Sequence, residues 1–69
     1  MERQAVSSTS IRSVGYDPEK KELEIEFQTG KVYAYFDVPR ETYDDFMHAD
    51  SHGQYFAQHI RDQFKYEHR

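Results

Sequence analysis

The alternation in Glu22–Gln28, where Leu23, Ile25 and Phe27 are separated by glutamates, sets a half-buried strand at the centre of this chain. Past Thr29-Gly30 a second alternation follows, with Val32, Ala34 and Phe36 against Lys31, Tyr33 and Tyr35. Glycine at such a turn takes φ > 0 without a Cβ clash. A two-residue Thr-Gly loop predicts the pairs Gln28–Lys31, Phe27–Val32, Ile25–Ala34 and Leu23–Phe36. That register puts every aliphatic and phenyl group of the hairpin on one face. Tyr33 and Tyr35 then stand on the wet face, opposite Glu26 and Glu24. A one-residue slip is expected to drive glutamates inward, so the register reads as well specified.

A core built on this hairpin has little help. With 69 residues the chain makes one domain, and a domain of that size buries only roughly 60% of its unfolded surface. It has no cysteine, so neither a disulfide nor a thiolate zinc site supplements packing. Five Phe and six Tyr must supply the contact area instead. The net charge of −4 opposes non-specific binding to nucleic acid or anionic membranes. No apolar run approaches transmembrane length, and the start lacks the apolar middle of a signal peptide. The chain reads as a soluble, cytoplasmic monomer with no membrane partner.

Residues 1–7 are polar without a period and read as a flexible terminus, leaving 8–69 as the domain. Ser10–Tyr16 reads as a first strand in which Ile11 and Val14 have opposite parity, so alternation must break between them. Asp17-Pro18-Glu19-Lys20-Lys21 is a turn. Pro39 fits the first turn of a helix, and Tyr43, Phe46 and Met47 make an amphipathic stripe within Arg40–Ala49. After a break at Asp50–Gly53, with Ser51 as N-cap, a second helix is expected from about Gly53 to Gln63, carrying Phe56, Ile60 and Phe64. Gly53 is expected to serve a tight approach, and Lys65–Arg69 reads as a short tail of mixed charge. The predicted fold is α+β: a three-stranded antiparallel β-meander followed by two short α-helices packed on one sheet face.

The stretch Ser8–Ile11, then Val14-Gly15-Tyr16-Asp17, the strand residues Leu23, Ile25 and Phe27, Gly30, the Y-x-Y of Tyr33 and Tyr35, Val38-Pro39, Ser51-x-Gly53-x-Tyr55-Phe56 and Ile60-Arg61 occur in an order that resembles the KTSC family. That short domain occurs alone in bacterial proteins and at the C-terminal end of some lysyl-tRNA synthetases. The resemblance implies a domain without established catalytic activity, for which RNA binding has been suggested. A position before the glycine that is often basic in the family is His52 here, which reduces positive charge.

On the predicted wet face, Tyr33 and Tyr35 are placed to stack on unpaired bases, with Lys31 and Arg12 supplying charge beside them. Arg61 and Lys65 extend the candidate RNA-binding set, since a guanidinium holds phosphate bidentately. The bland alternatives are cross-strand packing of the tyrosines, a tail folded over them, and a solvated helix face. His48, Asp50 and His52 are metal-ligand types, but the helix that would align them breaks at Ser51–Gly53, and no metal or other cofactor is expected. A phosphate loop, a cysteine nucleophile and a G-x-S-x-G elbow are all missing. The side chains of adjacent Asp44 and Asp45 diverge on a helix. The chain therefore reads as a non-catalytic binding module, for RNA or, alternatively, for a protein partner.

Overall fold

A computed structural model describes residues 2–69; Met1, the first residue of the expected flexible terminus, lies outside the described residues. The strands are β1 (Arg3–Ala5), β2 (Ile11–Asp17), β3 (Glu22–Phe27), β4 (Val32–Tyr35) and β5 (Tyr66–His68), with α1 (Arg40–His48) and α2 (His52–His59) inserted between β4 and β5. They form one antiparallel sheet in the order β1-β2-β3-β4-β5. The fold is α+β with two helices, as expected, but the sheet has five strands rather than three. The added strands are the two edges, Arg3–Ala5 and the tail segment Tyr66–His68. All six of their residues are exposed, so no hydrophobic alternation marks them.

The central hairpin departs from expectation by one residue. Gly30, at φ 93°, donates its N–H to the Phe27 carbonyl at 2.9 Å, and the Phe27 N–H donates to the Lys31 carbonyl at 2.9 Å. The loop is therefore Gln28-Thr29-Gly30, a three-residue turn closed by a glycine in the left-handed region. Leu23 consequently pairs with Tyr35 and Ile25 with Tyr33, while Glu24 pairs with Ala34 and Glu26 with Val32. No glutamate enters the core, because the slip exchanges only the faces of β4. That strand is apolar on both sides, Val-Ala-Phe and Tyr-Tyr, so the alternation alone did not fix its register. Turn length decides it. Tyr33 and Tyr35 lie on the core face, and Phe36, expected there, is only partly buried beyond the strand end.

In β2 the register shifts between Ile11, which pairs with Phe27, and Ser13, which pairs with Glu26. Arg12 is the extra residue of that bulge, and it lets Ile11 and Val14 both reach the core despite their parity. Val38, Phe46 and Ile60 complete the fully buried centre. Pro39 is the N-cap of α1 rather than a residue of its first turn. Ser51 caps α2 as expected, accepting from the Gln54 N–H at 3.2 Å. That helix stops at His59, short of Gln63, because Ile60 leaves helical geometry at φ −121°. The turn that follows starts the chain towards β5, while Ile60 stays buried and Phe64 packs on the core. An added Cβ at Gly53 would meet Ser10 Oγ at 3.4 Å, an ordinary contact, so no tight approach demands glycine there.

The outer face of the sheet carries ion pairs instead of phenols. Arg69 donates from both Nη groups to Glu22 at 2.9 and 3.0 Å and from Nε to Glu67 at 3.1 Å, and it approaches Glu24 at 3.4 Å. Ala34 lies between Glu24 and Glu67 in the ladder. The guanidinium thus straps across Ala34, which has no exposed surface. These hydrogen bonds, to Glu22 first and then Glu67, raise the Arg69 pKa above its ordinary value. Arg3 adds a contact to Glu24 at 3.4 Å.

Candidate nucleic-acid interface

Slipping the register turns the tyrosines into the wall of a cleft. Phe27 comes from β3, Tyr33 and Tyr35 from β4, Phe56 from α2 and Tyr66 from β5; all five line a cleft of about 680 Å³. Successive ring centroids lie 5.8 Å apart from Phe27 to Tyr33, 5.7 Å to Tyr66, 5.6 Å to Tyr35, 5.5 Å to Phe56 and 5.3 Å back to Phe27. The five rings form a closed circuit. Most of these contacts are edge-to-face, the arrangement the ring quadrupole favours. Tyr35 and Phe56 are the buried floor, at 3% and 8% exposure, whereas Tyr66 at 59% is the open lip.

Burial pushes the Tyr35 hydroxyl up to about 12, with Tyr66 and Tyr33 adding to the rise, Arg61 opposing it and Asp62 supporting it. Charge therefore sits close to this floor. Lys31, at the hairpin tip, and Arg61 with Asp62, just past α2, line the same cleft, beside the hydroxyl and amide groups of Ser10 and Gln28. The Arg61 Nε lies 3.8 Å from Asp62 Oδ2, and both side chains are largely exposed. The ensemble offers aromatic faces within a ring of polar groups, with two cations at the rim.

Of the residues nominated from sequence, Lys31, Tyr33, Tyr35 and Arg61 share this cleft. They do so on the helix side of the sheet, not on the expected wet face. Arg12 is carried by the bulge to Glu26, 4.0 Å away, where Ser13 also donates to that carboxylate at 2.8 Å. Lys65 is exposed, and its carbonyl accepts from the Phe36 N–H at 2.9 Å. Neither lines the cleft. Phe27, Phe56, Asp62 and Tyr66 were missed as site residues. A three-residue reading of Gln28-Thr29-Gly30 would have brought Phe27 and the tyrosines to the helix side, while nothing in the tail's pattern marks Tyr66.

A second cleft, of about 720 Å³, brings Ser7–Ser10 against Asp50–Gln54. Its hydroxyls serve the backbone: Ser8 Oγ accepts from the N–H groups of Ser10 and Ile11, as Ser51 Oγ does from Gln54. The imidazoles of the His48–His52 segment are turned to carbonyls of α1, His48 Nδ1 to Asp44 at 2.8 Å and His52 Nδ1 to Phe46 at 3.0 Å. Among the described residues, no helix is long and apolar enough to cross a membrane.

The profile of the KTSC domain matches residues 7–64, so the chain belongs to the KTSC family. A crystal structure of a KTSC domain protein from Yersinia pestis superposes with a TM-score of 0.94 at 40% identity, covering 99% of this chain and 96% of that one. An uncharacterized protein of Stutzerimonas stutzeri is 46% identical over 63 residues, 91% of this chain and 89% of its own length. A lysine–tRNA ligase of Nostoc is 42% identical over 57 residues, which are 83% of this chain but 10% of the ligase.

Proposed function

We propose that this KTSC domain is a non-catalytic, cytoplasmic binding module that receives an unpaired RNA base in the five-ring cleft. The observation carrying this reading is the circuit of Phe27, Tyr33, Tyr66, Tyr35 and Phe56 flanked by Lys31 and Arg61. Stacking on aromatic faces contributes about 1–3 kcal/mol per base, while the Lys31 cation at the rim meets a flanking phosphate. The similarity to part of a lysine–tRNA ligase agrees with an RNA-facing role. Lys65 and Arg12, away from the cleft, are at most peripheral contributors.

Titration of the isotope-labelled protein with short single-stranded RNA at low salt tests the proposal. Amide shifts should cluster at residues 27–35, 56 and 61–66, and affinity should fall as salt rises. Shifts confined elsewhere, or none, would remove it. A protein partner is the second reading, favoured by the exposed Tyr66 beside Arg61, since tyrosine and arginine are frequent interface anchors. It predicts that a Tyr66-dependent partner persists at salt concentrations that abolish RNA binding.

A further inference from the structure

We infer that the cleft, resting on the reading that it receives an RNA base, selects guanine, with Arg61 and Asp62 making the selection. The two residues are consecutive in the chain, and both line the cleft. Their closest mutual approach, 3.8 Å, is longer than a hydrogen bond, and their side chains are 59% and 78% exposed. The guanidinium nitrogens and the carboxylate oxygens are thus open to a ligand seated against the rings.

Donor and acceptor chemistry then discriminates among the bases. A carboxylate only accepts, and a guanidinium only donates. Guanine alone presents two adjacent donors, N1–H and the N2 amino group, together with O6 and N7 as acceptors for a guanidinium. Adenine and cytosine each offer one amino donor beside a ring-nitrogen acceptor, which a carboxylate repels. Uracil has a single N3–H between two carbonyls. Lys31, from the hairpin tip, adds a cation at the cleft for a neighbouring phosphate.

The test uses the full chain and short single strands differing only at one central base: guanine, adenine, cytosine, uracil or hypoxanthine. Guanine should bind on the order of tenfold more tightly than adenine, with hypoxanthine, which lacks the N2 amino group, in between. In Asp62→Asn the guanine-to-adenine ratio should fall towards one; the position is exposed, and an unchanged thermal unfolding curve would verify folding. Equal affinity for all bases, or a preference that survives Asp62→Asn, overturns the guanine assignment while base binding stands. Binding of guanosine monophosphate as tightly as the strand overturns RNA as the source. Failure of every strand to bind removes both this inference and the functional reading beneath it.

Discussion

Tyr35 stands directly opposite Leu23 across the β3–β4 ladder, with its phenol ring over Phe56 rather than in water. This pairing places the Y-x-Y motif on the helix side, closes the aromatic circuit and clears the outer face for ion pairs. It follows from the turn at Gly30. Because an added Cβ there would meet nothing within 4 Å, the whole cost of replacing this glycine lies in its φ of 93°. Gly30→Ala should lower stability by about 1–2 kcal/mol, and Gly30→Asn by less. Gly53→Ala should instead leave stability unchanged or raise it by up to about 1 kcal/mol, as expected for a helical glycine with room for a methyl group. Urea denaturation of the three variants checks both signs.

Burial of the Tyr35 hydroxyl makes stability depend on alkaline pH. The folded pKa is raised to about 12 from an unfolded value near 10. Below pH 10 both states hold the proton and the contribution is complete. Between pH 10 and about 12 the unfolded chain releases its proton first, so stability is lost as pH rises through this window. Tyr35→Phe should flatten this part of the profile in denaturant unfolding measured across the window. An unchanged alkaline slope would mean that the hydroxyl is hydrated in the folded protein.

Tyr16 lies parallel to Tyr43, centroids 4.6 Å apart at 9°, and its hydroxyl donates to the Val38 carbonyl at 2.6 Å. This contact ties β2 to the segment that launches α1. Tyr16→Phe keeps the stacked face and removes only the hydrogen bond, so it should cost about 1 kcal/mol of stability. A loss several times larger would show that the hydroxyl organises the Asp37–Pro39 connection as a whole, where Asp37 already holds a positive φ of 58°.

The Arg69 strap over Ala34 predicts a salt-sensitive tether for β5. Arg69→Ala should lower the thermal midpoint, and the deficit should shrink as ionic strength rises, since exposed ion pairs are screened. Arg69→Lys should recover little of it, because an ammonium cannot hold Glu22 bidentately while reaching Glu67. Hydrogen exchange of the β5 amides gives a local readout.

What the sequence revealed and what it hid separate along physical lines. The parity conflict of Ile11 and Val14 exposed the bulge, and Ser51 announced the start of α2, because each leaves a local chemical mark. The edge strands left none: all residues of Arg3–Ala5 and Tyr66–His68 are exposed, so no buried row alternates along them. In β4, aliphatic and aromatic residues alternate, so periodicity could not say which row faces inward; only the length of the turn could. The candidate site inherited that ambiguity. Four nominated residues converge on the cleft, but Arg12 and Lys65 do not, and Tyr66 entered through a strand with no sequence signal.

That division also determines which variants can report on function. Tyr35 is 3% exposed, and truncating a buried aromatic side chain costs about 3–5 kcal/mol, a large share of the stability of so small a domain. Tyr35→Ala should therefore lose RNA binding by unfolding, which reveals nothing about recognition. Tyr66, at 59% exposure on the lip, can be removed with little effect on the core. Tyr66→Ala should leave the denaturation midpoint nearly unchanged and weaken single-stranded RNA binding by at least roughly fivefold, the lower end of the range for one stacked base. Lys31→Ala should weaken binding and reduce the slope of log affinity against log salt by about 0.7, the value for one phosphate contact on a single strand. If Tyr66→Ala binds RNA as well as the parent protein while Lys31→Ala does not, recognition is electrostatic and the aromatic circuit serves only to pack β5 onto the sheet.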